Sequence, residues 1–248
     1  MTPSSSYDGA AEPATEPAQP NPTARVHDRA RPTRRTLDST AIAWLILAIV
    51  GLAGFAAITV MMLNHAAWPF DNPILHTARA WVGDGTIWRV LSESANIPLI
   101  VIGVGLVLVL WFTHRRREAV IVAVVLIAVT AGSEGVKQLV ARPRPEGTDP
   151  NIPGVVYSYP SGHVLEALTI FGIIASHVVR SRVSRWVAVL VVAAVIVDVF
   201  LVGLSRIVLN AHWPSDAIAS AIGGAGVLGV YGFLTHDDDH DAASSRTR

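Results

Sequence analysis

The sequence contains no cysteine, so disulfide bonds and thiolate metal sites are excluded. The formal net charge is zero and only 15% of the residues are charged. This composition does not favour binding to nucleic acid, which needs a clustered basic face. Lysine is also scarce, because Lys137 is the only lysine among nineteen basic residues. Charged side chains are therefore few enough that their positions are informative.

The abundant residues are apolar, at 51% of 248, and they gather into six runs long enough to cross a bilayer core. The predicted spans are 41–63, 96–113, 119–139, 163–179, 186–204 and 215–234. Each is expected to be a helix, because a helix satisfies every backbone polar group in lipid. A soluble protein with six such runs would lack polar surface. The predicted fold class is all-α, an integral membrane bundle of six transmembrane helices.

Both termini differ in composition from these runs. Residues 1–36 are rich in Pro, Ala, Ser and Thr and are predicted to be a disordered cytoplasmic tail. The membrane domain is predicted over 37–234, and 235–248 is predicted to be a second disordered cytoplasmic tail. The first apolar run follows an arginine-rich segment, which indicates an uncleaved anchor.

Arginines cluster before the first span and in the second-to-third and fourth-to-fifth connections. They are Arg25, Arg29, Arg31, Arg34, Arg35, Arg115, Arg116, Arg117, Arg180, Arg182 and Arg185. By the positive-inside rule, these segments and both termini are cytoplasmic, so the polar stretches described below face the extracytoplasmic side. The preference for Ala, Val and Arg over Lys indicates a GC-rich bacterial genome, and we expect the protein in the bacterial cytoplasmic membrane.

Residues 64–95 form the largest predicted outer segment. Asp71 or Asn72 is expected to cap a short amphipathic helix with Pro73 in its first turn, lying along the membrane surface. Two interpretations stay open: the helix is a packing lid over the helix ends, or it lines the entrance for a lipid.

The first polar stretch begins with Lys137 at the end of the third span and reaches Arg144-Pro145. With Arg206 from another helix end, these residues supply three positive charges at one membrane face, enough to hold a phosphate dianion. Arg142 is interpreted as a side chain that extends to lipid headgroups.

The second stretch is Pro160-Ser161-Gly162-His163, directly before the fourth span. A Ser-Gly pair at a helix start exposes backbone N–H groups at the positive end of the helix dipole, where an oxyanion can bind. Ser161 can equally be a helix cap. His163 favours the anion site, because an imidazole beside bound phosphate can protonate a leaving oxygen.

The third stretch is Ser205-Arg206 followed by His212 and Asp216. The last two residues are four apart, so Asp216 can accept a hydrogen bond from one ring nitrogen of His212 and leave the other free to attack. The alternative is an interfacial histidine beside a capping aspartate, and Ser205-Arg206 favours the first interpretation.

The three stretches together resemble the signature of the type 2 phosphatidic acid phosphatase superfamily. The pattern is Lys137, six residues, Arg144-Pro145; Pro160-Ser161-Gly162-His163; and Ser205-Arg206, five residues, His212, three residues, Asp216. It covers residues 137–216, and the six-helix layout over about 41–234 resembles the bacterial membrane branch.

The resemblance implies that His212 attacks phosphorus to form a phosphohistidine, that Asp216 orients it and that His163 protonates the leaving group. The residues implied to hold the phosphoryl oxygens are Lys137, Arg144, Ser161, Gly162 and Arg206. No metal and no other cofactor are implied.

The expected function is a metal-independent lipid phosphatase of the bilayer acting on undecaprenyl diphosphate, phosphatidylglycerol phosphate or phosphatidate. A lipid phosphotransferase and a non-enzymatic lipid binder or transporter are the alternatives, although the sequence shows no repeat typical of transporters. The sequence does not decide the lipid, a monophosphate or a pyrophosphate, or the oligomeric state. Glu166 and Asp198, acids inside spans, are expected to make hydrogen bonds between helices, and a direct role in the site is the alternative for each. His236 and His240 are expected to be solvated.

Overall fold

The computed structural model describes residues 38–64, 68–80, 85–148, 156–181 and 183–245. The predicted tail 1–36 lies outside these ranges. The described residues form eight helices, with ranges α1 Ser39–Leu63, α2 Asp71–Ala80, α3 Thr86–Ser94, α4 Ile97–Phe112, α5 Arg116–Val140, α6 Gly162–Arg180, α7 Arg185–Val208 and α8 Pro214–Ser245.

The predicted six-helix membrane bundle is confirmed. Six segments are long and apolar enough to cross a membrane, and α3 and α4 together form the second of them, Thr86–Phe112. This second segment begins ten residues before the predicted start at 96, because the amphipathic α3 leads into α4. Ala95 and Asn96 separate the two helices, and Pro98 occupies the first turn of α4, where its missing N–H costs no helical hydrogen bond.

Helices α6 and α8 occupy the centre of the bundle. Half of each of their spans is buried, compared with 11% of the α7 span, whose large apolar side chains face outward. α8 packs on α1, α5, α6 and α7, and α6 packs on α4, α5, α7 and α8. The start of α6, the start of α8 and the ends of α5 and α7 consequently lie at one end of the bundle, which is where the three polar stretches occur in the sequence.

α1 and α8 approach each other closely because glycine lines their contact. A Cβ atom on Gly226 would lie 2.6 Å from the backbone nitrogen of Leu52, and one on Gly229 would lie 2.3 Å from that of Ala48. Both distances are too short for a Cβ atom to fit. Because glycine has no side chain, the backbones of α1 and α8 can pack directly on each other, as in other helix pairs that associate in lipid.

A buried polar cluster joins the helices at the opposite end of the bundle. Glu118, at the start of α5, accepts a hydrogen bond from Tyr231 of α8 at 2.6 Å and pairs with Arg115 at 2.6 Å. The Nε2 atom of His177 on α6 lies 3.4 Å from the same carboxylate. Pairing of this kind offsets the cost of burying the Glu118 charge.

α2 forms at the predicted place, but it is not merely a surface helix. Leu75 and Ala78 are buried in a core cluster that also contains Val202 and Val208 of α7. This packing supports the interpretation of α2 as a lid over the helix ends.

α8 extends to Ser245, so its helical backbone continues about ten residues into the segment predicted to be disordered from 235. The prediction for His236 was wrong: its side chain is 12% exposed, and its Nε2 atom lies 3.0 Å from the carboxylate of Asp38, at the start of α1. This contact follows from the close packing of α1 on α8, which the local sequence does not reveal.

We predict that Gly226→Ala destabilises the protein by about 2 kcal/mol or more, because the new methyl group would overlap the backbone of α1. Thermal unfolding in detergent measures the effect. Gly105→Ala is the control, since a Cβ atom there meets nothing within 4 Å and alanine favours a helix. Equal midpoints for the two variants would contradict the packing account.

Candidate active site

The three polar stretches meet at one end of the bundle. The segment after α5 and the segment before α6 contact each other through a bridge between Pro143 and Tyr157. The turn between α7 and α8 contacts both of them. Trp213 donates its ring N–H to the carbonyl of Pro143 at 2.9 Å, and the His212 ring lies 2.6 Å from the carbonyl of Ser158. Residues that are up to about eighty positions apart in the sequence are thereby brought to one site.

His212 is held in one tautomer by the backbone. Its Nδ1 atom lies 2.6 Å from the carbonyl oxygen of Ser158, and a carbonyl can only accept, so Nδ1 carries the proton. The Nε2 atom consequently has its lone pair available. The carboxylate of Asp216 lies 3.6 Å from Nδ1, which differs from the predicted direct hydrogen bond. Ser158 takes the acceptor role that the spacing of His212 and Asp216 assigned to Asp216.

Asp216 instead organises the start of α8. One carboxylate oxygen accepts the backbone N–H of Trp213 at 2.9 Å, as in a capping box, and the other pairs with Arg142. The carboxylate is fully buried, and its charge lies close to the His212 ring. Asp216 therefore acts on His212 through its charge and through the geometry of the turn.

The interpretation of Arg142 as a headgroup-facing side chain was wrong. Its guanidinium group bridges two buried carboxylates, pairing with Asp216 and with Asp71 at 2.7 Å. It also donates to the hydroxyl of Ser215 at 2.8 Å and lies over the ring of Trp213. The Arg142 charge can be held in the protein because two carboxylates and a hydroxyl group replace its lost hydration.

Asp71 is a site residue that the sequence did not reveal. Its carboxylate accepts the backbone N–H of Ser215 at 2.8 Å and the Ser215 hydroxyl at 2.7 Å, so it caps α8 from another helix. In the sequence, the Asp71-Asn72-Pro73 run has the pattern of a cap for its own helix, α2. The actual partner lies 144 positions away, and no local signal identifies it.

The start of α6 leaves a hydroxyl group without a partner. Ser161 is the N-cap residue, but its side chain makes no capping hydrogen bond, and its buried Oγ atom has no partner in the part of the chain that the structure describes. Its backbone N–H is bonded to Ser220 of α8 at 2.8 Å. Of the two interpretations of Ser161, this geometry favours the anion site over the helix cap.

Three cationic side chains surround this helix start. The Nζ atom of Lys137 lies 3.9 Å from the point where a Cβ atom of Gly162 would stand, and it pairs with Glu134 at 3.3 Å. Arg144 donates to the carbonyl of Ala211 at 3.2 Å, and Arg206 donates to Ser92. The Nε atoms of both arginines are buried and have no partner among the described residues.

His163 lies in the same group. The charges of Lys137, Arg144 and Arg206 and the imidazole of His212 act on its ring. Its side chain is half-buried. The structure thus brings all eight predicted site residues to one end of the bundle.

The charge states of the groups outside the spans follow from burial. Burial lowers the pKa of His212 from 6.5 to about 4; the positive charges of Arg206 and Arg144 act in the same direction, and Asp216 opposes them. His212 is consequently neutral near pH 7. Burial also lowers the pKa of Arg144, and the charge of Asp216 opposes this effect.

A second network fixes the loop that carries Arg144. Arg79 of α2 donates to Asn210 at 2.9 Å and to the carbonyl of Glu146 at 2.6 Å, and Asn210 donates to the same carbonyl at 2.6 Å. Asn210 has a left-handed backbone with φ 62°, a conformation that asparagine adopts more readily than most residues. These contacts connect the first and third polar stretches, and the sequence analysis did not identify Asn210.

The two acidic residues inside the spans, Glu166 and Asp198, differ in their hydrogen bonding. Glu166 accepts a hydrogen bond from Thr130 of α5 at 3.0 Å, which matches the predicted bond between helices. For Asp198, the buried Oδ2 atom has no partner in the described part of the chain, so the predicted bond is not found there.

Within the described residues, no three His, Asp or Glu side chains are grouped to hold a metal ion.

Comparisons with known proteins were made on sequence and on structure. The model of the PAP2 superfamily matches residues 118–237, a range that contains all three polar stretches and confirms the resemblance seen in the motifs. A structure described as the first transmembrane PAP2 type phosphatidylglycerolphosphate phosphatase from Bacillus subtilis is similar, with 19% identity and a TM-score of 0.49 over 80% of this chain and 96% of that chain. No curated protein sequence matches the chain significantly.

We predict that Asp71→Asn destabilises the protein by about 2 kcal/mol, because it weakens the charged hydrogen bonds from Arg142 and Ser215, although Arg142 keeps Asp216 as a counter-ion. Thermal unfolding of Asp71→Asn, Arg142→Gln and the double variant in detergent measures the coupling. The double variant should lose about 1 kcal/mol less than the sum of the single variants. Asn72→Ala, at the exposed neighbouring position, is the control, and simple additivity would show that the bridge does not exist.

We predict a pH dependence of stability that arises from His212. The folded protein binds this proton more weakly than the unfolded chain, so stability is complete above pH 6.5 and is lost as the pH falls toward 4. Between pH 7 and pH 5, wild type should lose about 2 kcal/mol more than His212→Gln. Unfolding measured at both pH values checks the difference, and identical losses would refute the buried neutral imidazole.

Proposed function

Because residues 118–237 belong to the PAP2 superfamily, we propose that the protein is a metal-independent membrane lipid phosphatase that uses His212 as its nucleophile. The observation that supports this proposal is that several buried hydrogen-bond donors have no partner among the described residues, near the imidazole of His212, which is held in one orientation. The Oγ atom of Ser161 and the Nε atoms of Arg144 and Arg206 have no partner in the described residues. Buried polar groups are normally bonded, so these donors fit the oxygens of a bound phosphoryl group.

In the first step, the Nε2 lone pair of His212 attacks phosphorus and forms an N–P bond. The P–O bond to the lipid breaks, and its electron pair stays on the leaving oxygen. His163 donates a proton to that oxygen, which completes the leaving group. The hydrogen bond from Nδ1 to Ser158 orients the ring, and the nearby charge of Asp216 stabilises the positive charge that the ring acquires.

In the second step, water attacks the phosphohistidine. His163, now neutral, accepts a proton from the water as the new P–O bond forms, and the N–P bond breaks to return its electron pair to His212. Inorganic phosphate leaves, and both histidines recover their initial states. The same residue serves as acid in one step and as base in the other.

The cations and the start of α6 stabilise the charge that spreads over the phosphoryl oxygens. Lys137, Arg144 and Arg206 supply positive charge, and the first N–H groups of α6 lack helical acceptors and point along the helix dipole. These donors are held before substrate arrives, because Arg144 is bonded to Ala211 and Arg206 to Ser92. Such preorganised donors are a large contribution to catalysis in sites of this kind.

The proposed substrates are lipids with a terminal phosphate, namely undecaprenyl diphosphate, phosphatidylglycerol phosphate or phosphatidate. The arginine-rich connections at the opposite end of the bundle support an active site that faces the extracytoplasmic side. A phosphotransferase would differ only in the second step, with an alcohol in place of water. A simple lipid binder would need the cations but not a single fixed tautomer of His212.

We predict that purified protein releases phosphate from at least one of these lipids in the presence of EDTA and that His212→Asn lowers the rate by at least about 10³-fold. Lys137→Ala should lower it by about 10² to 10³, as for the loss of one charge-stabilising donor. His114→Asn is a matched control, because His114 is an exposed histidine at the opposite end of the bundle, in a left-handed conformation that asparagine accepts.

Three outcomes would count against the proposal. Release that persists in His212→Asn would exclude His212 as nucleophile. Release that EDTA abolishes would exclude a metal-independent reaction. No release from any lipid, with wild type and both site variants binding lipid equally, would support the binder.

A further inference from the structure

Helix α3 packs against α7, and one polar side chain lies on its buried side. Four residues at helical spacing line this side of α3 and the start of α4, namely Trp88, Ser92, Ala95 and Leu99. Ala95 and Leu99 belong to a buried core cluster, and Trp88 packs against the same cluster. Ser92 is 2% exposed, so its hydroxyl group lies in an otherwise apolar stripe. A hydroxyl in such a place is expected to have a specific partner.

The Ser92 hydroxyl accepts a hydrogen bond from Arg206, a residue of the proposed phosphate site. The donor is the Nη1 atom of Arg206, near the end of α7 and 114 positions away in the sequence. Both side chains are buried, so water does not compete for this bond. A hydrogen bond from a charged donor is stronger than one between neutral groups. The bond therefore ties the guanidinium group of Arg206 to a helix that is itself fixed by packing.

The bond to Ser92 occupies one side of the guanidinium plane and leaves the opposite edge available. That edge is formed by Nε and Nη2, whose N–H groups point in parallel and match two oxygens of a phosphoryl group. The Nε atom of Arg206 is buried and has no partner among the described residues. The acceptor on Nη1 thus determines which way the remaining donors point.

The guanidinium group lies near the other residues of the site. Its charge acts on the ring of His163, and the charge of Arg144 acts on both groups. If the plane of Arg206 rotated, the positive charge would stay in the site, but the Nε–H group would no longer point at the phosphoryl oxygens. Charge and orientation are consequently separate contributions of this residue.

We propose that Ser92 is a positioning residue that directs the Nε edge of Arg206 toward the phosphoryl group in the transition state. This inference rests on the proposed function. Ser92 lies outside residues 118–237, the range that the family model matches, and it is in none of the three polar stretches. Helix α3 therefore contributes to the site through Arg206 rather than by contact with the substrate.

The first test measures kcat and KM of Ser92→Ala in full-length protein in detergent micelles. The probes are dioctanoyl phosphatidate, dioctanoyl phosphatidylglycerol phosphate and farnesyl diphosphate. On each lipid that wild type hydrolyses, kcat should fall at least about tenfold while KM changes less than about threefold, because a directed donor acts mainly on the transition state.

Ser181→Ala is the matched control for this measurement. Ser181 is an exposed serine at the opposite end of the bundle, and its hydroxyl donates to the carbonyl of Val178 at 2.6 Å. The control should change kcat by less than about twofold, as expected for a surface substitution. A loss of kcat in Ser92→Ala no greater than in the control would overturn the inference.

Two further variants separate the hydrogen bond from packing. Ser92→Thr keeps the hydroxyl and should retain kcat within about threefold of wild type, whereas Ser92→Cys keeps the size but has only a weak acceptor and should be as slow as Ser92→Ala. Thermal unfolding establishes that each variant is folded. A folded Ser92→Cys with wild-type kcat would overturn the inference, because the side chain would then act only by filling space.

A double-variant cycle tests whether Ser92 acts through Arg206. In an Arg206→Met background, which has no guanidinium group to orient, Ser92→Ala should change kcat by less than about twofold. The same fold loss in both backgrounds would overturn the inference, because Ser92 would then affect the reaction by another route.

A spectroscopic measurement tests the inference without turnover. Arginine side chains are labelled with ¹⁵N, and the Nε–H signal of Arg206 is identified by its absence from Arg206→Met. Inorganic phosphate should shift this signal in wild type, and in Ser92→Ala the signal should broaden before phosphate is added, because the plane takes up several orientations. Identical signals in the two proteins, or no shift with phosphate in wild type, would overturn the inference. Failure of the proposed function is separately visible as absence of phosphate release by wild type from all three lipids.

Discussion

The bridge made by Arg142 between Asp71 and Asp216 is the interaction on which the site depends. Two buried carboxylates and one guanidinium join α2, the segment after α5 and the first turn of α8 at one point. The guanidinium compensates for the burial of both carboxylates, so the loss of Arg142 would leave two buried like charges without this counter-ion. The position of His212 follows from this arrangement, because the residue lies in the turn that Asp216 and Asp71 fix at the start of α8.

The geometry of His212 shows how such a network can serve chemistry without direct contact. The backbone carbonyl of Ser158 defines the tautomer, and Ser158 is in turn bonded through its N–H to the carbonyl of Arg142 at 2.8 Å. Arg142 therefore contacts both the carboxylate that lies near the His212 ring and the residue whose carbonyl orients that ring. The donors without partners, on Arg144, Ser161 and Arg206, come from three different elements of the described structure.

The sequence predicts the membrane helices and the composition of the site well, because long apolar runs have one structural solution in lipid and the three polar stretches have distinctive spacing. It does not predict Asp71 or the role of Arg142, since both depend on contacts between residues about 70 to 144 positions apart. Their local patterns, a helix cap and an interfacial arginine, indicated simpler roles. The sequence also does not predict the packing of α1 on α8 at Gly226 or the contact of His236 with Asp38, because both depend on residues far apart in the sequence.

The central claim is that the phosphoryl group passes through His212, and direct detection of the phosphoenzyme tests it. Wild type is mixed with a hydrolysed lipid, quenched in alkali within its first turnovers and digested, and the peptides are analysed by mass spectrometry. The account predicts a phosphate group on His212 that appears before free phosphate accumulates and disappears as substrate is exhausted. Phosphate on another residue, or steady release with no modified peptide at any time, would contradict it.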